Sequence, residues 1–278
     1  MQIEKFSIPS ASKKNITGDL RFCTTKEKIP VVIICHGFMA FKDWGMYPFV
    51  GESFAKNNFA SVTFNFSHNG ISNNLNKITD YKNFEENTIS KEISDLKILL
   101  NEIETGSLNK NFFNLDQIFL VAHSRGTGIA VLETANNKKI KLLATWSPIS
   151  TFDRWTETQK LRWKQNGFLP ATNNFSSHPL KIGIELLNNI ESNKNKFNIF
   201  SAAKKISVPW LIIQGMEDLI TPPKETEKIF SVANKDKTKY ILLEKVGHLY
   251  NAMNKSKDDF QTISHILDIT INFFKTNF

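Results

Sequence analysis

The sequence predicts an α/β fold: a mostly parallel central sheet of about eight strands, flanked by helices. Short apolar runs alternate with longer helical patterns along the 278 residues. The runs are almost continuously apolar, which is typical of parallel strands buried on both faces. Strand–helix alternation of this kind favours right-handed crossovers between parallel strands. Hydrophobic residues make up 41% of the chain and aromatic residues 12%, enough bulk for a large core.

Six apolar runs bounded by turn residues are predicted to form the buried strands. They span residues 30–35, 60–66, 117–122, 139–146, 208–214 and 240–244. Residues 2–24 differ, because they contain two shorter runs with polar alternation around Thr17-Gly18. This pattern predicts an antiparallel hairpin or an edge pair of strands. The remaining strands are expected to lie beside one another in parallel.

Two segments carry helical periodicity. One contains apolar residues three or four positions apart, which places them on a single helix face. These residues are Ile89, Ile93, Leu96, Leu100 and Ile103. The second segment lies near the C-terminus and runs from Phe260 to Phe274 with a similar spacing.

Residues 150–205 interrupt the alternation. A structureless loop of that length is improbable, so we expect a small helical insertion over one end of the sheet. The segment is poor in periodic apolar residues, which favours a lid within one domain of residues 1–278 rather than a second domain. Its isolated aromatic residues are Phe152, Trp155, Trp163, Phe168 and Phe175.

Trp155 and Trp163 are eight residues apart in this predicted lid, close to a two-turn helical repeat. Two interpretations stay open for them. They bind the substrate as an apolar wall, or they anchor the lid to the core.

Composition excludes several classes of protein. The formal net charge is +8, but the lysines are scattered, which indicates a solvated surface rather than a binding patch. Two cysteines exclude a disulfide framework and multi-cysteine metal modules. The N-terminus lacks the pattern of a signal peptide, and no run of about 18 apolar residues is present. The sequence therefore predicts a soluble, cytoplasmic protein with no membrane span.

The run from Ala122 to Gly126 (AHSRG) follows a predicted strand and precedes a helical segment. Small residues on both sides of Ser124 suit a sharp strand-to-helix turn that exposes the serine hydroxyl, a nucleophile elbow. The helix N-terminus offers free N–H groups to an oxyanion. A plain N-cap serine is the alternative. A dinucleotide-binding loop beginning at Gly126 is disfavoured because Val131 occupies the position of the third glycine.

His36-Gly37-Phe38 stands at the end of the strand 30–35, where open α/β sheets bind their ligands. Glycine lets the backbone approach a substrate and direct an N–H group toward it. The N–H groups of Phe38 and Arg125 are therefore the expected donors to a tetrahedral oxyanion. The imidazole of His36 is expected to be a buried structural group.

A base and an orienting carboxylate follow the later strands. Asp218 lies in the loop after strand 208–214, ahead of a helix that Thr221 is expected to cap. Glu217 and Asp153 are the competing carboxylates. His248 follows strand 240–244, which makes it the candidate base. The chain order Ser124, Asp218, His248 is the one expected for a triad in this architecture.

These motifs together resemble the α/β-hydrolase family. They are His36-Gly37-Phe38, Ala122-His123-Ser124-Arg125-Gly126, Gly215 with Asp218 and Pro222, Gly247-His248, and a variant loop Ser67-His68-Asn69-Gly70-Ile71-Ser72. The resemblance covers about residues 15–278. Within the family the chain looks most like the branch of dienelactone hydrolases, cinnamoyl and feruloyl esterases and prolyl-oligopeptidase-like enzymes.

The resemblance implies a serine hydrolase that acts on small-molecule carboxylic esters with the triad Ser124, Asp218 and His248. The implied reaction requires no metal and no organic cofactor. A serine aminopeptidase or thioesterase on the same triad stays open, as does a non-enzymatic α/β-hydrolase that binds a ligand. The six histidines show no HExxH spacing, and no phosphate-binding loop or nucleic-acid-binding module is present.

Overall fold

Eight strands form the central sheet in the computed structural model, which describes residues 1–24, 26–72, 77–171, 176, 178–252 and 259–278. The described residues contain ten strands, which in chain order are β1 (Gln2–Pro9), β2 (Asn15–Phe22), β3 (Ile29–Cys35), β4 (Ala60–Asn65), β5 (Phe113–His123), β6 (Ile140–Trp146), β7 (Phe168–Ala171), β8 (Leu180–Gly183), β9 (Trp210–Gly215) and β10 (Thr238–Leu243). All but β7 and β8 belong to this sheet. Their order across the sheet is β1-β2-β4-β3-β5-β6-β9-β10. Strand β2 is antiparallel to β1 and β4, and the other neighbours are parallel.

Helices connect the strands and cover the sheet. In chain order they are α1 (Tyr47–Lys56), α2 (Tyr81–Glu85), α3 (Ile89–Glu104), α4 (Arg125–Thr134), α5 (Glu157–Asn166), α6 (Ile184–Ser192), α7 (Ile199–Ala203), α8 (Pro223–Val232) and α9 (Asp259–Thr276). The predicted fold class is confirmed. The six predicted buried strands and the two periodic helices are all present, with bounds shifted by a few residues.

Successive residues of the central strands β3, β5, β6 and β9 point into two different apolar clusters. In β3, Val31 and Ile33 belong to the cluster on one face of the sheet, and Val32 and Ile34 belong to the cluster on the other. Helices α3 and α4 contribute to the first cluster, and α1 and α9 to the second. Because both faces are covered, these strands carry apolar residues on both faces, which is the near-continuous pattern that the sequence shows.

The N-terminal hairpin is present as predicted. Strands β1 and β2 pair along their whole length, from Gln2 opposite Phe22 to Pro9 opposite Asn15. A Cβ atom on Gly18 would lie 2.1 Å from the Phe6 ring and 2.7 Å from the Thr63 carbonyl oxygen. Glycine is therefore needed where the hairpin packs against β4.

The insertion between β6 and β9 differs in part from the prediction. It contains α5, α6 and α7, but also the antiparallel pair of β7 with β8, so it is not wholly helical. The sequence pattern does not reveal these strands, because each has only four residues and β7 contains Pro170. The buried residues of the insertion, such as Trp163 and Leu187, belong to the same cluster as the sheet. Phe175 lies outside the described residues.

The expected common helix face of Trp155 and Trp163 is wrong. Helix α5 is capped by Thr156, so Trp155 precedes the helix and Trp163 lies inside it. The two rings still touch edge-on, with centroids 4.9 Å apart. The two tryptophans therefore touch because the segment before α5 packs against the helix, and not because they share one helix face.

The carboxyl ends of the parallel strands lie at one edge of the sheet. His36 follows β3, Ser124 follows β5, Asp218 follows β9 and His248 follows β10. The fold thus brings together residues that are far apart in sequence. Within the described ranges, no helix combines the length and apolar character that a membrane crossing requires.

Candidate active site

Ser124 occupies the turn between β5 and α4 in a strained conformation. Its φ is 54° and its ψ is −126°, a region that side-chain-bearing residues rarely adopt. A Cβ atom on Gly126 would lie 2.5 Å from the His36 carbonyl oxygen, so glycine is required where α4 passes β3. Ala122 is fully buried before the turn, and its small side chain is tolerated there. The local geometry is that of a nucleophile elbow.

Ser124, His248 and Asp218 form one hydrogen-bonded row. His248 Nε2 lies 2.9 Å from Ser124 Oγ, and His248 Nδ1 lies 2.8 Å from Asp218 Oδ2. These distances fall within the range that a nucleophile, its base and an orienting carboxylate need. The imidazole can therefore accept a proton from the serine on one side while the carboxylate fixes its tautomer on the other.

Asp218 is held by several donors besides His248. Its Oδ1 accepts the N–H groups of Ile220 and Thr221, and its Oδ2 accepts the side chains of Thr221 and Gln214. Burial opposes ionisation of this carboxyl, but the hydrogen bond and charge of His248 and the Thr221 N–H outweigh it. The net effect lowers the pKa of Asp218 well below its usual range, so the group is a carboxylate whenever the protein is near neutral pH.

Thr221 does not cap α8, contrary to the prediction. The cap residue is Pro222, which has no side-chain hydrogen bond. The Thr221 hydroxyl instead donates to Asp218 over 2.8 Å. The competing carboxylates are placed elsewhere: Asp153 pairs with Lys160 at 2.6 Å, and Glu217 is exposed.

The loop after β3 lies against the elbow. A Cβ atom on Gly37 would come within 3.1 Å of Ser124 Cβ, so the backbone that leads into Phe38 passes directly beside the serine. Arg125 begins α4, where the first N–H groups have no partner within the helix.

Buried His36 bonds Gly37 O through Nδ1, at 2.8 Å, and burial lowers its pKa to about 4. Its imidazole is therefore a neutral structural group, as predicted.

A buried chain of hydrogen bonds joins this loop to His248. The Gly37 N–H donates to Tyr47 Oη at 3.0 Å, and Tyr47 Oη lies 3.1 Å from His123 Nδ1. His123 Nε2 lies 2.9 Å from the His248 carbonyl oxygen. This pattern assigns the proton of His123 to Nε2. Burial lowers the pKa of His123 to about 3, which keeps the ring neutral. Sequence reasoning missed Tyr47 and His123, because no local motif signals their contact.

A cavity of about 120 Å³ opens beside Ser124. Its walls are mostly apolar, and the lining residues are Phe38, Ile89, Ser124, Arg125, Ile149, Phe152, Arg154, Trp155, Ile220 and Thr221. The insertion supplies three of them, including Trp155. Trp163 is not among them: it is completely buried behind Trp155. The structure thus places one predicted substrate-binding tryptophan at the cavity and the other in the core.

The side chain of Arg125 was not anticipated, since the sequence assigned a role only to its backbone N–H. Its guanidinium lies over the Phe38 ring, 4.5 Å from the centroid, and Nε donates to Glu92.

No group of three or more histidine, cysteine or acidic side chains within the described ranges is arranged to hold a metal ion.

Solved structures with the same architecture exist, although no protein-family model and no curated protein matches the sequence. One is Est1E from Butyrivibrio proteoclasticus with ferulic acid bound, 18% identical, with a TM-score of 0.75 over 98% of both chains. Another is the α/β hydrolase GrgF from Penicillium sp. sh18, 16% identical, with a TM-score of 0.71 over 100% of this chain and 99% of that one. The esterase domain of a Rhodothermus marinus protein is 14% identical, with a TM-score of 0.64 over 99% of this chain and all of that domain.

The chain has the α/β-hydrolase fold. In an α/β hydrolase the nucleophile stands on the elbow after a central strand, and the acid and the histidine follow later strands. Ser124 after β5, Asp218 after β9 and His248 after β10 occupy these positions.

Proposed function

We propose that this α/β hydrolase cleaves carboxylic esters through an acyl-enzyme intermediate. The observation that carries the proposal is the row of short contacts from Ser124 Oγ through His248 to Asp218. Ser124 attacks the acyl carbon while His248 removes its proton, and Asp218 stabilises the resulting imidazolium. His248 then protonates the leaving alcohol. Water, deprotonated by His248, releases the acid and restores the serine.

The N–H groups of Phe38 and Arg125 are the proposed donors to the oxyanion that forms in both steps. Their support is the close passage of Gly37 beside Ser124 and the start of α4 at Arg125. Donors fixed by the backbone stabilise the developing charge without having to reorganise. The small, apolar cavity next to Ser124 is the proposed site of the acyl group.

The insertion of residues 150–205 is proposed to act as a lid that limits the size of the acyl group. Phe152, Arg154 and Trp155 support this role, because all three line the cavity that contains Ser124. A lid that covers the cavity excludes water from the oxyanion and strengthens the hydrogen bonds to it.

Hydrolysis of p-nitrophenyl esters of graded acyl length tests this function. We expect Ser124→Ala to reduce kcat by a factor on the order of 10⁴ to 10⁶ with the fold intact. Ser231→Ala is the matched control, because the Ser231 hydroxyl is exposed on α8 and, among the residues that the structure describes, bonds only to the Lys228 carbonyl. Parallel assays with aminoacyl amides and thioesters distinguish the esterase from an aminopeptidase or a thioesterase. An active Ser124→Ala protein contradicts the proposal.

A further inference from the structure

The Arg125 side chain offers a hydrogen-bond donor to the cavity beside Ser124. Two of its three guanidinium nitrogens face Glu92: Nε donates to Oε2 over 3.1 Å, and Nη2 lies 3.0 Å from Oε1. The angle at Nη2 is too poor for a hydrogen bond, so this contact is an ion pair only. The third nitrogen, Nη1, has no hydrogen-bond partner among the described residues.

The position of this guanidinium is fixed. Glu92 is 4% exposed and also accepts a hydrogen bond from Asn87 Nδ2 at 2.8 Å. The Phe38 ring supports the guanidinium from one face. Arg125 and Phe38 both line the cavity, and Nη1 is not among the buried unpaired atoms. Nη1 is therefore the donor that a bound molecule can reach, and it is held in place before binding.

Charge around the cavity favours a neutral acceptor. Arg125 is compensated by Glu92, and the second arginine at the cavity, Arg154, is compensated by Glu225 at 2.7 Å. Arg154 also donates its other terminal nitrogen to the Ile220 carbonyl. A carboxylate would bring an uncompensated charge into a largely apolar space, which is costly. A keto, ether or hydroxyl oxygen accepts the same hydrogen bond without that cost.

We propose that Arg125 selects acyl groups with a neutral oxygen acceptor near their end. This inference rests on the esterase function proposed above and specifies its substrate class. A cavity of about 120 Å³ holds about four groups of water size at roughly 30 Å³ each. The acyl chain beyond the scissile carbonyl is therefore short, and an oxygen three or four atoms along it still lies within the cavity that Arg125 lines. The 4-oxopentanoyl group has this shape.

Three p-nitrophenyl esters of matched size test the inference: the 4-oxopentanoate, the pentanoate and the succinate monoester. Release of p-nitrophenol without protein, which includes attack of the succinate carboxylate on its own ester, is subtracted first. Each kcat/KM is then divided by the rate constant of the same ester with hydroxide, taken from the part of its pH profile that is first order in hydroxide. The wild-type protein is expected to prefer the 4-oxopentanoate over the pentanoate by a factor on the order of tenfold to hundredfold, the range of a hydrogen bond from a charged donor.

The double variant Arg125→Met/Glu92→Gln removes the donor without leaving a buried unpaired charge. The ratio of its kcat/KM for the 4-oxopentanoate to its kcat/KM for the pentanoate should fall to near unity, because the donor is gone. Because the readout is a ratio between two esters, a general loss of activity cancels. Arg162→Gln is the control: Arg162 is exposed on α5, so the ratio should keep its wild-type value.

The single variant Glu92→Gln tests the charge argument separately. It leaves Arg125 uncompensated, so the relative rate with the succinate monoester should rise by a factor on the order of tenfold. Equal rates of the wild-type protein with the pentanoate and the 4-oxopentanoate overturn the inference. A wild-type preference for the succinate monoester overturns the choice of a neutral acceptor. If the wild-type protein hydrolyses none of the three esters, the proposed function itself is overturned.

Discussion

Asp218 has more hydrogen-bond donors around it than a turn aspartate needs. Two backbone N–H groups and the Thr221 hydroxyl point at its oxygens, in addition to His248. These contacts keep the carboxylate ionised and fix its orientation toward the imidazole. The loop after β9, and not the histidine alone, therefore holds Asp218 in the orientation that its proposed role requires.

Asp218→Asn is expected to reduce kcat by about 10⁴, because the amide NH2 group then faces Nδ1 and donates to it, which holds the imidazole in the wrong tautomer. The backbone N–H groups would still find an acceptor in the Asn carbonyl oxygen. Steady-state kinetics and a thermal melt measure both effects. Asp236→Asn is a control on an exposed turn. A variant that retains most of its kcat would show that Asp218 does not orient His248.

Tyr47 and His123 are expected to position the catalytic groups. Tyr47→Phe removes the hydroxyl that joins the Gly37 N–H to His123 but preserves the ring. We expect kcat to fall by a factor on the order of three to ten, the value of one to two neutral hydrogen bonds, with KM unchanged.

Tyr240→Phe is the matched control for Tyr47→Phe, because the Tyr240 hydroxyl has no hydrogen-bond partner among the described residues. It should leave kcat at the wild-type value. If Tyr47→Phe lowers only the melting temperature, the network is structural and does not act on the reaction.

At the scale of elements, the segment between β6 and β9 combines two tasks. Helices α6 and α7 pack their apolar residues into the main core, whereas the stretch before α5 faces the cavity. The two tryptophans divide along the same line. Trp163 is fully buried, and Trp155 is half-buried beside Ser124.

Truncation of the two tryptophans should therefore have different effects. Trp163→Ala is expected to lower the free energy of unfolding by about 3–5 kcal/mol, as for loss of a buried aromatic side chain. Trp155→Ala should alter kcat/KM in a way that depends on acyl length, because it enlarges the cavity. Chemical denaturation and the graded ester series measure these quantities. The same loss of stability in both variants, with no dependence on acyl length, would contradict the division.

Sequence patterns predicted the strands and their end loops well, because most buried parallel strands are apolar on both faces and the loops with the candidate site residues follow them directly. They could not reveal the contact of Tyr47 with His123, 76 residues apart, or of Arg125 with Glu92, 33 residues apart. Periodicity indicates which face of an element is buried but not which partner it meets. Thr221 was misassigned because a threonine before prolines is typical of a helix cap, and here a carboxylate competes for its hydroxyl.

At the scale of the whole molecule, buried neutral histidines make stability depend on pH. The pKa values of His36 and His68 are lowered to about 4 and that of His123 to about 3, chiefly by burial. The unfolded chain binds protons at these histidines near pH 6.5, whereas the folded protein does not. Stability is therefore fully present above that pH and is lost as the pH falls toward 4.

Asp95 partly opposes this loss, since burial raises its pKa to about 6 and its protonation favours the folded state as the pH falls. Three histidines less Asp95 leave two net protons taken up on unfolding, which gives a slope of about 2.7 kcal/mol per pH unit between pH 6 and 4. Urea unfolding at a series of pH values measures the slope. His123→Gln should flatten it, because one titrating group is removed. A slope that is unchanged by this substitution would show that His123 does not stay neutral in the fold.

The role proposed for Ser124 is that of the nucleophile of an ester hydrolase. Its most direct test is reaction with a fluorophosphonate, followed by intact-mass measurement and mapping of the modified peptide. We expect one adduct per chain, located on Ser124, with loss of esterase activity in proportion to labelling and no adduct in Ser124→Ala. An unlabelled wild-type protein, or an adduct on another residue that abolishes activity, would contradict it.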